Sequence, residues 1–177
     1  MKSDPGKIRI LLVEDHVPTA AMLTAMLSGL GYEKIKHATS TERAIDKLRQ
    51  RPFDLLLCDY RLGIINGLTL VRMIRKPGGI ASPNLPIIMV TAHAEPELVA
   101  EARAAGVNAV LVKPVQPEKL MQSINEVFVR PPTFAKAANY AGPDRRRRQE
   151  DIHPGRRQED REGKPIPRSK WIVPPKT

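Results

Sequence analysis

The sequence predicts a doubly wound α/β domain, a five-stranded parallel sheet with helices on both faces, followed by a disordered arginine-rich C-terminal tail. Three observations predict it. Short apolar runs alternate with amphipathic stretches through residue 130. Those runs are apolar almost without interruption, as strands buried on both faces must be. From residue 131 the periodicity stops, and 8 of the chain's 17 prolines fall in the last 47 residues.

The elements follow in order. Residues 8–13 read as the first buried strand and 18–30 as a helix, with Gly29 and Gly31 near its end. Leu23, Met22 and Met26 read as packing residues on that helix. Residues 34–38 form a short second strand. Thr41 then caps a helix running to residue 50, with Ala44, Ile45 and Leu48 on one face. Residues 55–58 make the third strand, and 68–75 a helix ending before Pro77-Gly78. Residues 87–90 are the fourth strand, followed by a helix over 96–105 closed by Gly106. The fifth strand is 110–112. The last helix spans 117–129 and turns Leu120, Ile124 and Val127 inward. This assigns residues 1–130 to one domain and 131–177 to a flexible tail, with a ligand-binding segment at 140–171.

Composition narrows the function classes. The single cysteine, Cys58, excludes an internal disulfide, fits a reducing compartment and reads as an inert core residue. No apolar run reaches the length of a membrane span and no signal-peptide core is visible, so a cytoplasmic location is expected. His16, His37, His93 and His153 lack metal-ligand spacing. The net charge of +10 is uneven: residues 131–177 hold 12 Lys+Arg against 6 Asp+Glu. An anionic partner for the tail follows.

In a doubly wound sheet, ligands sit at the carboxyl ends of the strands. Here those ends carry Glu14-Asp15, Asp59, Thr91 and Lys113-Pro114. Three carboxylates held together repel and call for a cation. Carboxylates with room for water suit Mg²⁺. A carboxylate can also attack phosphorus, with metal and lysine offsetting the charge on the transferred group.

These residues, in this order, resemble the response-regulator receiver (CheY-like) family from roughly Ile8 to Val129. The resemblance implies a sheet order of 2-1-3-4-5. It implies that Asp59 is the phosphoacceptor and that Glu14, Asp15 and Asp59 hold Mg²⁺. Thr91 is then the switch hydroxyl and Lys113 the cation that pairs with the phosphoryl group. Gly67, eight residues after Asp59, matches the family's loop, as does Lys113-Pro114, usually a cis peptide. Three positions depart from the pattern. Gly63 stands where the family has proline, Arg61 replaces a smaller polar residue, and Val110 occupies the place of the switch aromatic.

The tail contains a repeat. Arg147-Arg148-Gln149-Glu150-Asp151 returns nine residues later as Arg156-Arg157-Gln158-Glu159-Asp160. Each copy holds an Arg-x-x-Asp, and arginine with aspartate suits guanine. The guanidinium fork bonds the O6/N7 edge, and the carboxylate accepts from the ring and amino N–H groups. Further arginines pair with phosphates or stack on bases. A ligand with two guanines and two phosphates, cyclic di-GMP, fits this set. The candidate contacts are Arg145, Arg146, Arg147, Arg148, Asp151, Arg156, Arg157 and Asp160, with Trp171 stacking and Tyr140 as a weaker stacker.

A receiver followed by Tyr-x-Gly-Pro-Asp-Arg-Arg-Arg-Arg, residues 140–148, resembles the Cle group of CheY-like proteins. That resemblance implies cyclic di-GMP binding and docking on the flagellar motor switch, with recruitment to the flagellar pole. A histidine kinase is the expected partner at Asp59. A conventional phosphorylated response regulator and a DNA-associated regulator with a basic tail are the alternatives. No helix-turn-helix pattern follows the receiver, nucleic acid is not the expected partner, and no catalytic constellation marks an enzyme.

Overall fold

The computed structural model describes residues 4–63, 65–93, 95–129, 134–137 (backbone alone) and 140–143. Strands β1 (Arg9–Val13), β2 (Lys34–Ala38), β3 (Leu55–Asp59), β4 (Ile87–Thr91) and β5 (Ala109–Val112) alternate with helices α1 (Val17–Gly29), α2 (Thr41–Gln50), α3 (Gly67–Arg75), α4 (Pro96–Ala105) and α5 (Pro117–Val129). All pairings among these strands are parallel, in the expected order β2-β1-β3-β4-β5.

The central strands are apolar on both sides because both sides are covered. Leu11, Val13, Leu56, Ile87 and Met89 pack with α2, α3 and α4. Ile10, Leu12, Leu57, Ile88 and Val90 pack with Leu23 and Leu27 of α1 and Leu120, Ile124 and Val127 of α5. Edge strand β2 alternates instead, with exposed lysines. Met22 on α1 turns to solvent, unlike its neighbour Leu23, because adjacent helical residues point about 100° apart.

Helix ends follow local chemistry. Gly106 closes α4 at φ +98°, a conformation that only glycine adopts without strain. At α2 the cap is Ser40 rather than Thr41. The Ser40 hydroxyl accepts from the Arg43 N–H at 3.3 Å, while Thr41 is already helical and donates to the Ile65 carbonyl. Asn66 caps α3 by accepting from Thr69 N–H at 3.0 Å. Gly67 directly after it presses on β3, and a Cβ there would run into the Asp59 carbonyl and the Cys58 sulfur.

The amino-terminal edge of the sheet holds an unexpected feature. Arg75, at the end of α3, is 2% exposed. Its guanidinium donates to the carbonyls of Gly106 (3.0 and 2.9 Å), Pro83 (2.6 Å) and Leu85 (2.8 Å), and to Asn108 Oδ1 (3.1 Å). Every one of these acceptors is neutral, and burial pushes the Arg75 pKa down to about 10. The helical spacing of Leu68, Val71 and Arg75 already marks this arginine as inward-facing.

A second sheet departs from the reading of 131–177 as structureless. Strands β6 (Phe134–Ala137) and β7 (Tyr140–Pro143) pair antiparallel, Ala137 opposite Tyr140. Tyr140 and Ala141 are buried. Two short strands leave no visible period in the sequence, and β7 is buried against Arg75 and Gly106 of the receiver. The ligand-binding assignment of Tyr140 is affected: the residue is 8% exposed and its hydroxyl donates to the Pro143 carbonyl at 2.8 Å. A ring seated this way does not present a face for base stacking.

Replacing Gly67 by Ala should destabilise the fold by about 1–3 kcal/mol, since the colliding atoms include rigid β3 backbone. Urea unfolding of parent and variant measures this, and an unchanged midpoint would contradict the close packing.

Candidate functional site

The parallel register assembles the site. Val13 pairs with both Ala38 and Cys58, Asp59 with Val90, and Thr91 with Val112. The residues that follow or end these strands therefore emerge at one edge. Glu14 and Asp59 are buried there, at 1% and 7% exposure, and Asp15 is exposed.

Lys113 bridges the two buried carboxylates. Its ammonium lies 2.8 Å from Glu14 Oε2 and 2.8 Å from Asp59 Oδ2. The cis Lys113-Pro114 peptide follows, as the resemblance implied. Burial pushes the Glu14 carboxyl above its ordinary range, the hydrogen bond from Lys113 pulls it back, and like-charged Asp59 pushes it up further. Burial acts to lower the Lys113 pKa, but the hydrogen bonds to Asp59 and Glu14 outweigh it and hold the ammonium above its usual value. The lysine thus stays charged and ties together two groups that would otherwise repel.

Backbone amides hold the other oxygens of Glu14 and Asp59 and one oxygen of Asp15. Glu14 Oε1 accepts from His16 N–H at 3.3 Å and Asp59 Oδ1 from Arg61 N–H at 3.3 Å. Asp15 Oδ2 accepts from Gly63 N–H at 3.2 Å. This last bond gives a physical reason for glycine at a position where the family resemblance expects proline. Proline has no N–H to donate, and Gly63 sits at φ +54°, which the proline ring cannot reach.

Thr91 reaches the same edge, but its hydroxyl is engaged locally. It donates to the His93 carbonyl at 2.9 Å and accepts from His93 N–H at 3.3 Å. Lys113 N–H donates to the Thr91 carbonyl at 2.8 Å, which locks the ends of β4 and β5 together. Val110 packs against the layer formed by α2, α3 and α4. His37 reaches the Glu14 carbonyl at 2.7 Å and His16 reaches Thr19 at 2.8 Å, so both serve the backbone and helix α1 rather than a metal. His93 is exposed, and Cys58 is buried, with desolvation pushing its thiol pKa up. Arg145, Arg146, Arg147, Arg148, Asp151, His153, Arg156, Arg157, Asp160 and Trp171 lie outside the described residues.

Glu14, Asp15 and Asp59 fit a divalent cation. Each offers a carboxylate oxygen, and these atoms all lie within 4.8 Å of one another. Hard oxygen donors beside solvent-exposed Asp15 suit Mg²⁺, which keeps several of its waters. When bound, the ion supplies positive charge that offsets the carboxylates and any phosphoryl oxygens brought to them. Among the described residues no other cluster of this kind is present.

Added Mg²⁺ should raise the melting temperature of the full chain, because an ion that binds only the folded state stabilises it by mass action, by about 2.7 kcal/mol at a hundredfold excess over Kd. Asp15→Asn should abolish most of that rise while leaving the metal-free melting temperature nearly unchanged. Differential scanning calorimetry with and without Mg²⁺ decides this, and an equal rise in the variant would exclude Asp15 as a ligand.

Comparison with known proteins agrees with the geometry. The response regulator receiver domain family matches residues 10–125. The transcriptional regulatory protein ZraR of Salmonella typhimurium is 34% identical over 123 residues, which cover 70% of this chain and 27% of ZraR. The chain therefore spans only about a quarter of the ZraR relatives that it matches. The chemotaxis protein CheY of Pseudomonas aeruginosa is 31% identical over 123 residues, covering 70% of this chain and 98% of CheY. Among solved structures, the chemotaxis response regulator CheY4 of Vibrio cholerae superposes with a TM-score of 0.62 at 28% identity, covering 68% of this chain and 98% of CheY4. The receiver domain of the sensor histidine kinase PA1611 of Pseudomonas aeruginosa, solved with magnesium in its active-site cleft, gives a TM-score of 0.60 at 29% identity, covering 67% of this chain and 95% of that domain. With the sheet order, the lysine-bridged acidic edge and the match over residues 10–125 in agreement, the chain belongs to the response regulator receiver family.

Proposed function

We propose that this CheY-like response regulator binds cyclic di-GMP through its arginine-rich tail and regulates motility by docking on the flagellar motor switch. The duplicated Arg-x-x-Asp, Arg148 with Asp151 and Arg157 with Asp160, is the observation that carries the reading. A generic basic arm has no need of regularly placed carboxylates, which would repel DNA or an anionic membrane. The tail's resemblance to the Cle group, CleD above all, points the same way, and the similarity to proteins named chemotaxis protein CheY supports the motor as the target. The protein acts in this reading as a binding and switching module rather than an enzyme. It works in the cytoplasm and is recruited to the flagellar pole. No helix among the described residues is long and apolar enough to cross a membrane.

The acidic edge supports a second input. A histidine kinase partner would deliver a phosphoryl group to Asp59, with Mg²⁺ on Glu14, Asp15 and Asp59. Lys113 would move its contact to a phosphoryl oxygen, and the Thr91 hydroxyl would leave His93 to do the same. The PA1611 receiver, with magnesium in its cleft, supports this assignment. Val110 lacks the ring through which the family couples such a change to its output face. This gives the tail the leading role. If the tail only tethers the protein, a conventional phosphorylated regulator remains. The similarity to ZraR favours a DNA-associated one less, since the chain matches only the receiver portion of those proteins.

Calorimetric titration separates the readings. Cyclic di-GMP should bind the full chain saturably, and cyclic di-AMP should not, because adenine presents the opposite donor and acceptor edge. Replacing Arg147, Arg148, Arg156 and Arg157 by Ala should abolish binding, while Asp59→Asn should leave it intact and remove phosphorylation by a small phosphodonor. Equal binding of both dinucleotides would reduce the tail to a basic tether.

A further inference from the structure

The buried guanidinium of Arg75 and the β7 strand fit each other through two glycines. A Cβ on Gly106 would lie 2.7 Å from the Tyr140 hydroxyl and 3.0 Å from the Arg75 side chain. A Cβ on Gly142 would lie 2.6 Å from Arg75 Cδ and 2.8 Å from the Tyr140 hydroxyl. Tyr140, Gly142, Arg75 and Gly106 therefore close on one another with no room for further atoms. The hydroxyl of Tyr140 turns back to the Pro143 carbonyl, which fixes the strand's exit. Below it, Arg75 binds the α4 cap carbonyl of Gly106 together with Pro83, Leu85 and Asn108.

We propose that Tyr140–Pro143 is an internal docking strap that fixes the root of the arginine-rich segment on the Arg75 base, at the carboxyl ends of α3 and α4. The folded unit then extends to residue 143 rather than stopping at 130. Covalent reach does the rest: Arg145 is two residues beyond Pro143, at most about 7 Å along the chain, and Arg148 at most about 18 Å. The root of the segment is consequently held at the amino-terminal edge of the sheet, and Asp59 lies at the opposite edge. Tyr140 is on this account a positioning residue, not a ligand contact. That the anionic ligand presented there is cyclic di-GMP rests on the function proposed above; the strap itself does not.

Spin labelling tests the strap in the full chain without any ligand. Asp144→Cys provides the label site, since the native Cys58 is fully buried. A nitroxide there should broaden the amide resonances of Lys76, Gly106, Val107 and Asn108 and leave those of Glu14, Asp59 and Thr91 sharp. Adding Tyr140→Ala or Gly142→Ala should erase the selective broadening and lower the melting temperature by at least about 2 °C. Tyr140→Phe, which keeps the ring, should retain most of the broadening. Broadening at both edges or at neither, or a pattern that survives Tyr140→Ala and Gly142→Ala, overturns the proposal. Cyclic di-GMP is then titrated into the same samples. Absence of binding with the strap pattern intact rejects the ligand and leaves the strap standing, whereas binding without the pattern rejects the strap alone.

Discussion

The ammonium of Lys113 lies between two carboxylates that are almost wholly buried, 2.8 Å from each, and the carboxyl edge of the sheet is organised around it. Without that cation Glu14 and Asp59 would face one another as like charges at low exposure, at a cost of several kcal/mol for each ion that loses its partner. The bridge is a weak source of net stability, because desolvating three charged groups consumes most of what their attraction returns. Its value lies in poise. The cluster holds two negative charges and one positive, with a third carboxylate, Asp15, open to solvent. That excess of negative charge is what fits the edge to a divalent cation.

The sheet explains why that cluster sits where it does. Strands buried on both faces cannot carry charge in their interior, so polar side chains appear only where the strands end. Parallel pairing puts all five carboxyl ends at one edge, and the register aligns them to within a residue. Gly63 and Gly67 then allow the β3–α3 loop to approach. The first gives Asp15 a backbone donor and the second lets the chain press on Asp59. Gly63 in place of proline is thus a part of the site's geometry.

The opposite edge is the electrostatic counterpart. It buries a cation among neutral acceptors, with carbonyl dipoles in place of a carboxylate. The end of α4 contributes here, because the last carbonyls of a helix carry partial negative charge. Removing the guanidinium would orphan several buried acceptors at about 1–3 kcal/mol each. Arg75 thereby couples α3, the approach to β4, the turn into β5 and the β6–β7 hairpin, and the receiver gains a seat for the chain that follows it.

The order and type of the five strands and five helices of the receiver were legible because each carries its own period, cap or breaker, and boundaries moved by no more than a residue or two. The acidic edge was legible too: strand ends can be counted, and a parallel sheet leaves one place for them. Three things needed the tertiary structure. Ser40 rather than Thr41 caps α2, since two adjacent hydroxyl residues offer the same local chemistry and only the Ile65 carbonyl across the loop separates them. The Thr91 hydroxyl turns to His93, a choice among rotamers that no spacing encodes. Tyr140 is a buried strap residue rather than an exposed ring, because Arg75 and Gly106, which close on it, come from distant segments. The sequence by itself determined which residues stand at which edge, because periodicity and covalent order act locally. The tertiary structure alone decided which of them meet, because the hydrogen bonds from Arg75 to Gly106 and Asn108 and the packing of Gly106 and Gly142 against Arg75 and Tyr140 depend on segments far apart in the chain.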